Sequence, residues 1–153
     1  MHATPAAPLD LLRLRDEAER TRLFRELDAS DRGLRCHAQG VDAWYEVMQG
    51  DRGWTVRLVM ADRWLSESIE SELVHGRETL EALVDDELVD LGCEARIGTI
   101  RHFRDDARQY VFEADIPSPT NAAEDDTTLA LQFMLAFESA FRQLGNMSGE
   151  GED

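Results

Sequence analysis

The sequence predicts a mixed α+β chain in the order helix, three strands, helix, two strands, helix. Three observations carry this. Apolar residues recur at helical spacing in segments near both ends and in the middle of the chain. "WTVRLVM" and "QYVFEADIP" alternate side chains in the two-residue rhythm of strands. Gly and Pro stand at the joints between these segments. At 153 residues the chain is most simply one domain, long enough to bury roughly 70% of its unfolded surface. The expected division is a flexible lead over residues 1–9, one domain over 10–145 and a disordered acidic tail over 146–153.

The first helix is expected from Asp10 to about Ala29, with Gly33 marking the exit. Opposite charges four residues apart support it: Arg13–Glu17, Arg15–Glu19, Asp16–Arg20 and Arg22–Glu26. Its apolar stripe is split, because Leu11, Leu14 and Ala18 fall on one side and Leu23 and Leu27 nearly opposite. Either the helix is bent or interrupted, or its two halves dock on different surfaces; the second reading is favoured, with Leu11 and Leu14 reaching a second copy or a client.

"LRCHAQG" and "AWYEVMQG" read as one interrupted strand, with Gly50 and Gly53 at the following turn. "WTVRLVM" is the second strand. In "WLSESIESEL", Leu65, Ile69 and Leu73 are four apart, a spacing that fits a helix and also every second inward position of a strand. The preceding strand and the Ser-rich composition favour a third strand. The second helix is expected from Arg77 to Leu91, ended by Gly92, with Leu80, Val84, Leu88 and Leu91 as its apolar stripe. "EARIGTIRHF" and "QYVFEADIP" form a hairpin around "RDDA", with a bulge at Gly98 bringing Ile97 and Ile100 to one face. The closing helix, "TLALQFMLAFESAFRQL", has Asp125 and Asp126 at its start and Gly145 past its end. Leu129, Ala130, Phe133, Met134, Phe137, Ala140, Phe141 and Leu144 make its core stripe. Leu131 and Leu135 project elsewhere and are assigned to a dimer or client contact.

The net charge is -16 and every one of the 16 basic residues is Arg. Residues 1–61 hold 9 Arg against 10 acids, whereas 62–153 hold 7 against 22. Such a balance repels phosphate backbones and anionic lipid, so neither direct nucleic-acid binding nor membrane binding is expected, and a basic partner protein is. The acids are densest between Glu67 and Glu94, ten against the single Arg77. They persist into the last turn of the second helix, where the dipole disfavours them, and stand at like-charged i,i+4 spacing. Glu78, Glu81, Asp85, Asp86 and Asp90 are therefore the candidate partner-binding residues.

Residues for chemistry are scattered. His2, His37, His75 and His102 stand singly, and Cys36 and Cys93 are 57 residues apart, so no metal-ligand or redox spacing occurs. The acid pairs Asp85–Asp86, Asp105–Asp106 and Asp125–Asp126 lack the calcium-loop pattern and read as helix face, hairpin turn and helix cap. There is no P-loop, GxGxxG or GxSxG. Trp44, Trp54 and Trp64 read as sheet packing rather than a ligand cage. No catalytic, cofactor or metal residue is expected, and no cofactor. The two lone thiols, and a start without a signal-peptide pattern, point to the cytoplasm.

The "WYEV" strand, the "GWTVRLVMADRWL" hairpin, the "LEALVDDEL" helix, the "RIGTIRHFRDDARQYVFEADIP" hairpin and the apolar closing helix together resemble YbjN-like proteins over residues 16–144. Their α-β-β-β-α-β-β-α order is shared with class I type III secretion chaperones. The resemblance implies helices packed on an antiparallel sheet, a homodimer and non-enzymatic capture of another protein. Two other readings stand beside it. One is an acidic regulator or nucleic-acid mimic occupying a basic protein's groove. The other is an enzyme assembling a site from dispersed groups such as His37, His102 and the acids.

Overall fold

The computed structural model describes residues 9–39, 42–50, 53–61, 67, 69–71, 79–117 and 125–144. Most of the expected lead, the acidic tail, His2, Trp64, His75 and Glu78 lie outside them. Asp10 caps the first helix, α1 (Leu11–Thr21), its carboxylate accepting from the Arg13 N–H at 3.0 Å. The Arg13–Glu17 pair forms at 2.9 Å. The helix stops at Arg22, whose φ of 60° is left-handed, and Phe24 opens strand β1 (Phe24–Ser30). The single helix expected as far as Ala29 is thus a helix and a strand. The reversed leucines mark that change of period: Leu23 and Leu27 stand past the helix and pack on the core from the strand side.

Strands β2 (Gly33–Ala38) and β3 (Ala43–Gln49) form a hairpin where one interrupted strand was expected, and β4 (Trp54–Met60) pairs beside β3. A Cβ at position 33 would collide with the Val47 carbonyl oxygen, so only glycine lets β2 start this close to β3. In the expected strand "WLSESIESEL" the described residues, 67 and 69–71, are helical instead, and Ile69 is fully buried in the core; Leu65 and Leu73 lie outside the described residues. The four-residue spacing fits both periods, and the described residues take the helical one.

Helix α2 (Leu80–Asp90) is capped by Thr79, whose hydroxyl accepts from the Ala82 N–H, and ends at Gly92 with φ of 78°. Residues 93–100 are irregular, so the expected long strand shortens to β5 (Arg101–Arg104) and the bulge at Gly98 does not arise. The turn into β6 (Tyr110–Asp115) is held by Asp105, which accepts from the Ala107 and Gln109 N–H groups. Asp125 caps α3 (Asp126–Gln143) by accepting from the Thr128 N–H at 2.8 Å.

The six strands form one antiparallel sheet in the order β1-β2-β3-β4-β6-β5. The helices α1, α2 and α3 lie to one side: α3 packs on β3 and β4, α1 on β1, β2 and α3, and α2 on α3. The α+β class with helices packed on an antiparallel sheet is the one the sequence predicts. The order also holds broadly, with six strands for the expected five. All eight residues of the predicted α3 stripe are buried. Among the described residues no helix is long and apolar enough to cross a membrane.

Candidate interaction surfaces

Helix α3 is flanked on both sides. At its start the Asp10 N–H donates to the Thr127 hydroxyl at 3.0 Å, and Arg13 reaches Asp125 and Thr128 at 3.0 and 2.7 Å, which fixes α1 on one flank. Glu87 accepts from Ser139 at 2.7 Å and Gln143 at 2.8 Å, and Gln132 lies 3.5 Å from the Leu91 carbonyl, which fixes α2 antiparallel on the other. Leu131 and Leu135 lie between these flanks on the outward side of α3, half-buried and packed against the core.

The candidate acids of α2 divide into two sets. Glu81 accepts from the Ile100 N–H at 2.9 Å and Asp85 from the Ile97 N–H at 2.8 Å. Residues 93–100 have no ladder to pair their backbone, and these carboxylates supply acceptors in its place. They are half-buried parts of the fold. Asp86 and Asp90 are exposed, with Val89 at 53% and Leu91 at 40% exposure beside them, and the last turn of α2 holds no basic residue. The result is a pair of exposed acids at the helix end, flanked on either side by one exposed apolar side chain. In α1, Leu14 is fully buried in its own domain's core, so it offers nothing to a second molecule, and Leu11 is half-buried. Leu12, which the split stripe did not single out, is 67% exposed.

The sheet face away from the helices carries a row of alternating charge that no local pattern in the sequence announces. Cross-strand partners run Asp28, Arg35, Glu46, Arg57, Glu113 and Arg101, one from each strand in sheet order. Arg35 meets Glu46 at 2.9 Å, and Arg57 lies 3.5 Å from Glu46 and 3.3 Å from Glu113. Arg101 bridges Glu113 and Asp115, both at 3.0 Å. The neighbouring row runs Glu26, His37, Trp44, Val59, Val111 and Phe103. There His37 meets Trp44 edge-on at 4.5 Å, and the Arg35 guanidinium stacks over Trp44 at 4.3 Å.

These faces separate the dispersed candidates for chemistry. His37 lies on the outer face of β2, its ring bonded to the Ala38 carbonyl and Asp42. His102 lies on the helix side of β5, 2.6 Å from Glu70 and 3.9 Å from the Phe112 ring. Four strand steps, about 19 Å, hold the two imidazoles apart. Trp44 and Trp54 likewise face opposite sides of the sheet. Cys36 and Cys93 are both buried free thiols. Burial pushes the Cys36 thiol up to about 12, and it packs 3.8 Å from the Met134 sulfur. Among the described residues no three His, Cys, Asp or Glu side chains gather where they could hold a metal ion. A cavity of about 430 Å³ opens between the start of β4 and the end of β6, where Arg101 is already engaged by Glu113 and Asp115.

Comparison with protein-family models, with curated proteins and with solved structures finds no match to this chain, so the functional reading rests on these surfaces.

Proposed function

We propose that the protein is a non-enzymatic adaptor, acting as a homodimer, that captures a basic partner protein. The observation that carries this is the exposed end of α2, where Asp86 and Asp90 stand between Val89 and Leu91. Its acids stand four apart at the end of a helix where the dipole opposes them, with no arginine to relieve them in that turn. Exposed apolar side chains beside them give the surface both halves of a recognition site for a cationic amphipathic segment. Glu81 and Asp85 remain at the border of this site while serving the backbone of 93–100. The half-buried Leu131 and Leu135 supply the contact between two copies. The resemblance to YbjN-like proteins supports the same role.

The test is capture from extract at low and high salt, by the native chain, by Asp86→Arg/Asp90→Arg, and by the charge-matched Asp31→Arg/Asp106→Arg in two exposed turns. The α2 variant is expected to lose a salt-sensitive basic partner that the turn variant retains. Equal loss in both would reduce the effect to net charge and remove the reading. For the dimer, Leu131→Glu/Leu135→Glu should halve the mass in sedimentation. An unchanged mass in a folded variant would place the contact elsewhere.

A further inference from the structure

Where α1 hands over to β1, the end of β2 and the last turns of α3 close a cavity of about 230 Å³. Its lining includes Leu23 and Ala38 as apolar wall, Tyr45 and Glu138 as buried polar groups, and Arg22 and Arg142. Two features set it apart. In the cavities of about 430 and 570 Å³, carboxylates equal or outnumber arginines among the described residues, but here the lining holds two arginines, Arg142 and the Arg22 that it shares with the 570 Å³ cavity, and one carboxylate. That is unexpected in a chain of net charge -16. The second feature is the Tyr45 hydroxyl, which makes no hydrogen bond among the described residues although the side chain is 1% exposed. The hydroxyl is not among the fully buried unpartnered polar atoms; it is the polar end that this side chain contributes to the cavity lining. Its ring is held against Phe24 at 6.0 Å, so the hydroxyl is presented to the cavity by a packed side chain.

Glu138 is already engaged. Arg142 takes both of its oxygens, at 2.9 and 3.3 Å. Burial raises the Glu138 carboxyl above its ordinary range and raises the Tyr45 phenol well above its own, so the phenol stays a neutral donor at physiological pH. An entering cation would meet two guanidiniums and a carboxylate already in use. An anion would meet the Tyr45 phenol and two lining arginines, Arg22 and Arg142. A single negative charge balances the local excess, and Leu23 and Ala38 ask for an apolar body behind it.

We propose that this cavity binds a small carboxylic acid with a short apolar body, its carboxylate held by the Tyr45 hydroxyl, Arg22 and Arg142 and its chain laid on Leu23 and Ala38. The site is independent of partner capture by α2.

Phenylacetate is the probe, titrated into the isotope-labelled full chain and followed by backbone amide shifts, with phenethylamine and acetate as charge and size controls. Saturable shifts are expected around residues 22–23, 38–39, 45 and 138–142 with phenylacetate, little with acetate, and none there with phenethylamine. Tyr45→Phe keeps the ring and its packing but removes one hydrogen bond, and should raise the Kd about fivefold. Arg22→Gln, at an exposed position, should weaken binding similarly and decides the matter if Tyr45→Phe fails to fold. Asp86→Arg/Asp90→Arg should leave it unchanged. An acetylated dipeptide ending in a free Phe carboxylate, against its amide, separates the two sources of such a group. Tighter binding than phenylacetate assigns the site to a protein chain end, weaker binding to a free acid. Absence of localised saturable shifts, an equal response to phenethylamine, or a Kd unmoved by both Tyr45→Phe and Arg22→Gln would overturn the proposal.

Discussion

On the helix-covered face of the sheet, Leu34, Val47, Leu58 and Phe112 belong to one buried cluster with Phe133, Phe137 and Phe141. One residue along each strand, on the other face, stand Arg35, Glu46, Arg57 and Glu113. The same four strands are therefore held by two unlike means. The inner face works through area removed from water, which is large and has little directional preference. The outer face works through pairs that are worth little each, because Arg35 is 40% exposed and every pair is screened. Magnitude comes from one face and direction from the other.

The largest effect should come from breaking the inner face. Phe137→Ala, at 0% exposure, is expected to cost about 3–5 kcal/mol by denaturant titration, and a loss under about 1 kcal/mol would mean that the core collapses around the gap. Glu46→Ala strikes the centre of the outer row. The Glu46 side chain is 8% exposed between two arginines, so a loss of about 2 kcal/mol is expected, below that of the phenylalanine. Equality of the two would abolish the distinction between the faces.

Smaller effects sharpen it. Asp85→Ala should cost about 1 kcal/mol and speed hydrogen exchange at the Ile97 amide more than elsewhere, because it removes that amide's acceptor. An unchanged exchange rate would return Asp85 to the set of partner-binding acids. Asp125→Ala should also cost about 1 kcal/mol through the lost cap of α3. The Thr128 N–H holds the Asp125 carboxyl below its ordinary 3.8, so its stabilisation is complete above that pH and fades as pH falls through the folded value. Glu138 runs the other way. Burial raises it above 4.5, so the native state keeps a proton that the unfolded chain has lost, and stability declines as pH rises across that window. Glu138→Gln should flatten that decline, read as melting temperature against pH. A slope that persists in the variant would assign it to other groups.

What the sequence disclosed follows the same division between local and distant causes. The α3 stripe was legible because one helix period places all eight side chains against one surface. The Leu23 and Leu27 reversal was visible too, but a change of period and a bent helix look alike along a string of residues. "WLSESIESEL" failed because a four-residue spacing satisfies both periods. The structural role of Glu81 and Asp85 was not legible, because the groups they serve, Ile100 and Ile97, become neighbours only after residues 93–100 fold back. The charged row was out of reach for the same reason. Its members are spread from residue 28 to residue 113, and only strand pairing brings them together.

That row also guards against an error the apolar face cannot detect. A strand displaced by two residues keeps every side chain on its proper side, so burial alone would accept the wrong pairing. In such a slip between β3 and β4, Glu46 would stand opposite Thr55 or Val59 instead of Arg57, stranding a carboxylate and a guanidinium together. Every neighbouring pair of strands carries one such check. The alternating signs act as a checksum on the assembled sheet, so that a mispaired chain stays distinguishable from the native one even when its oily residues are all hidden.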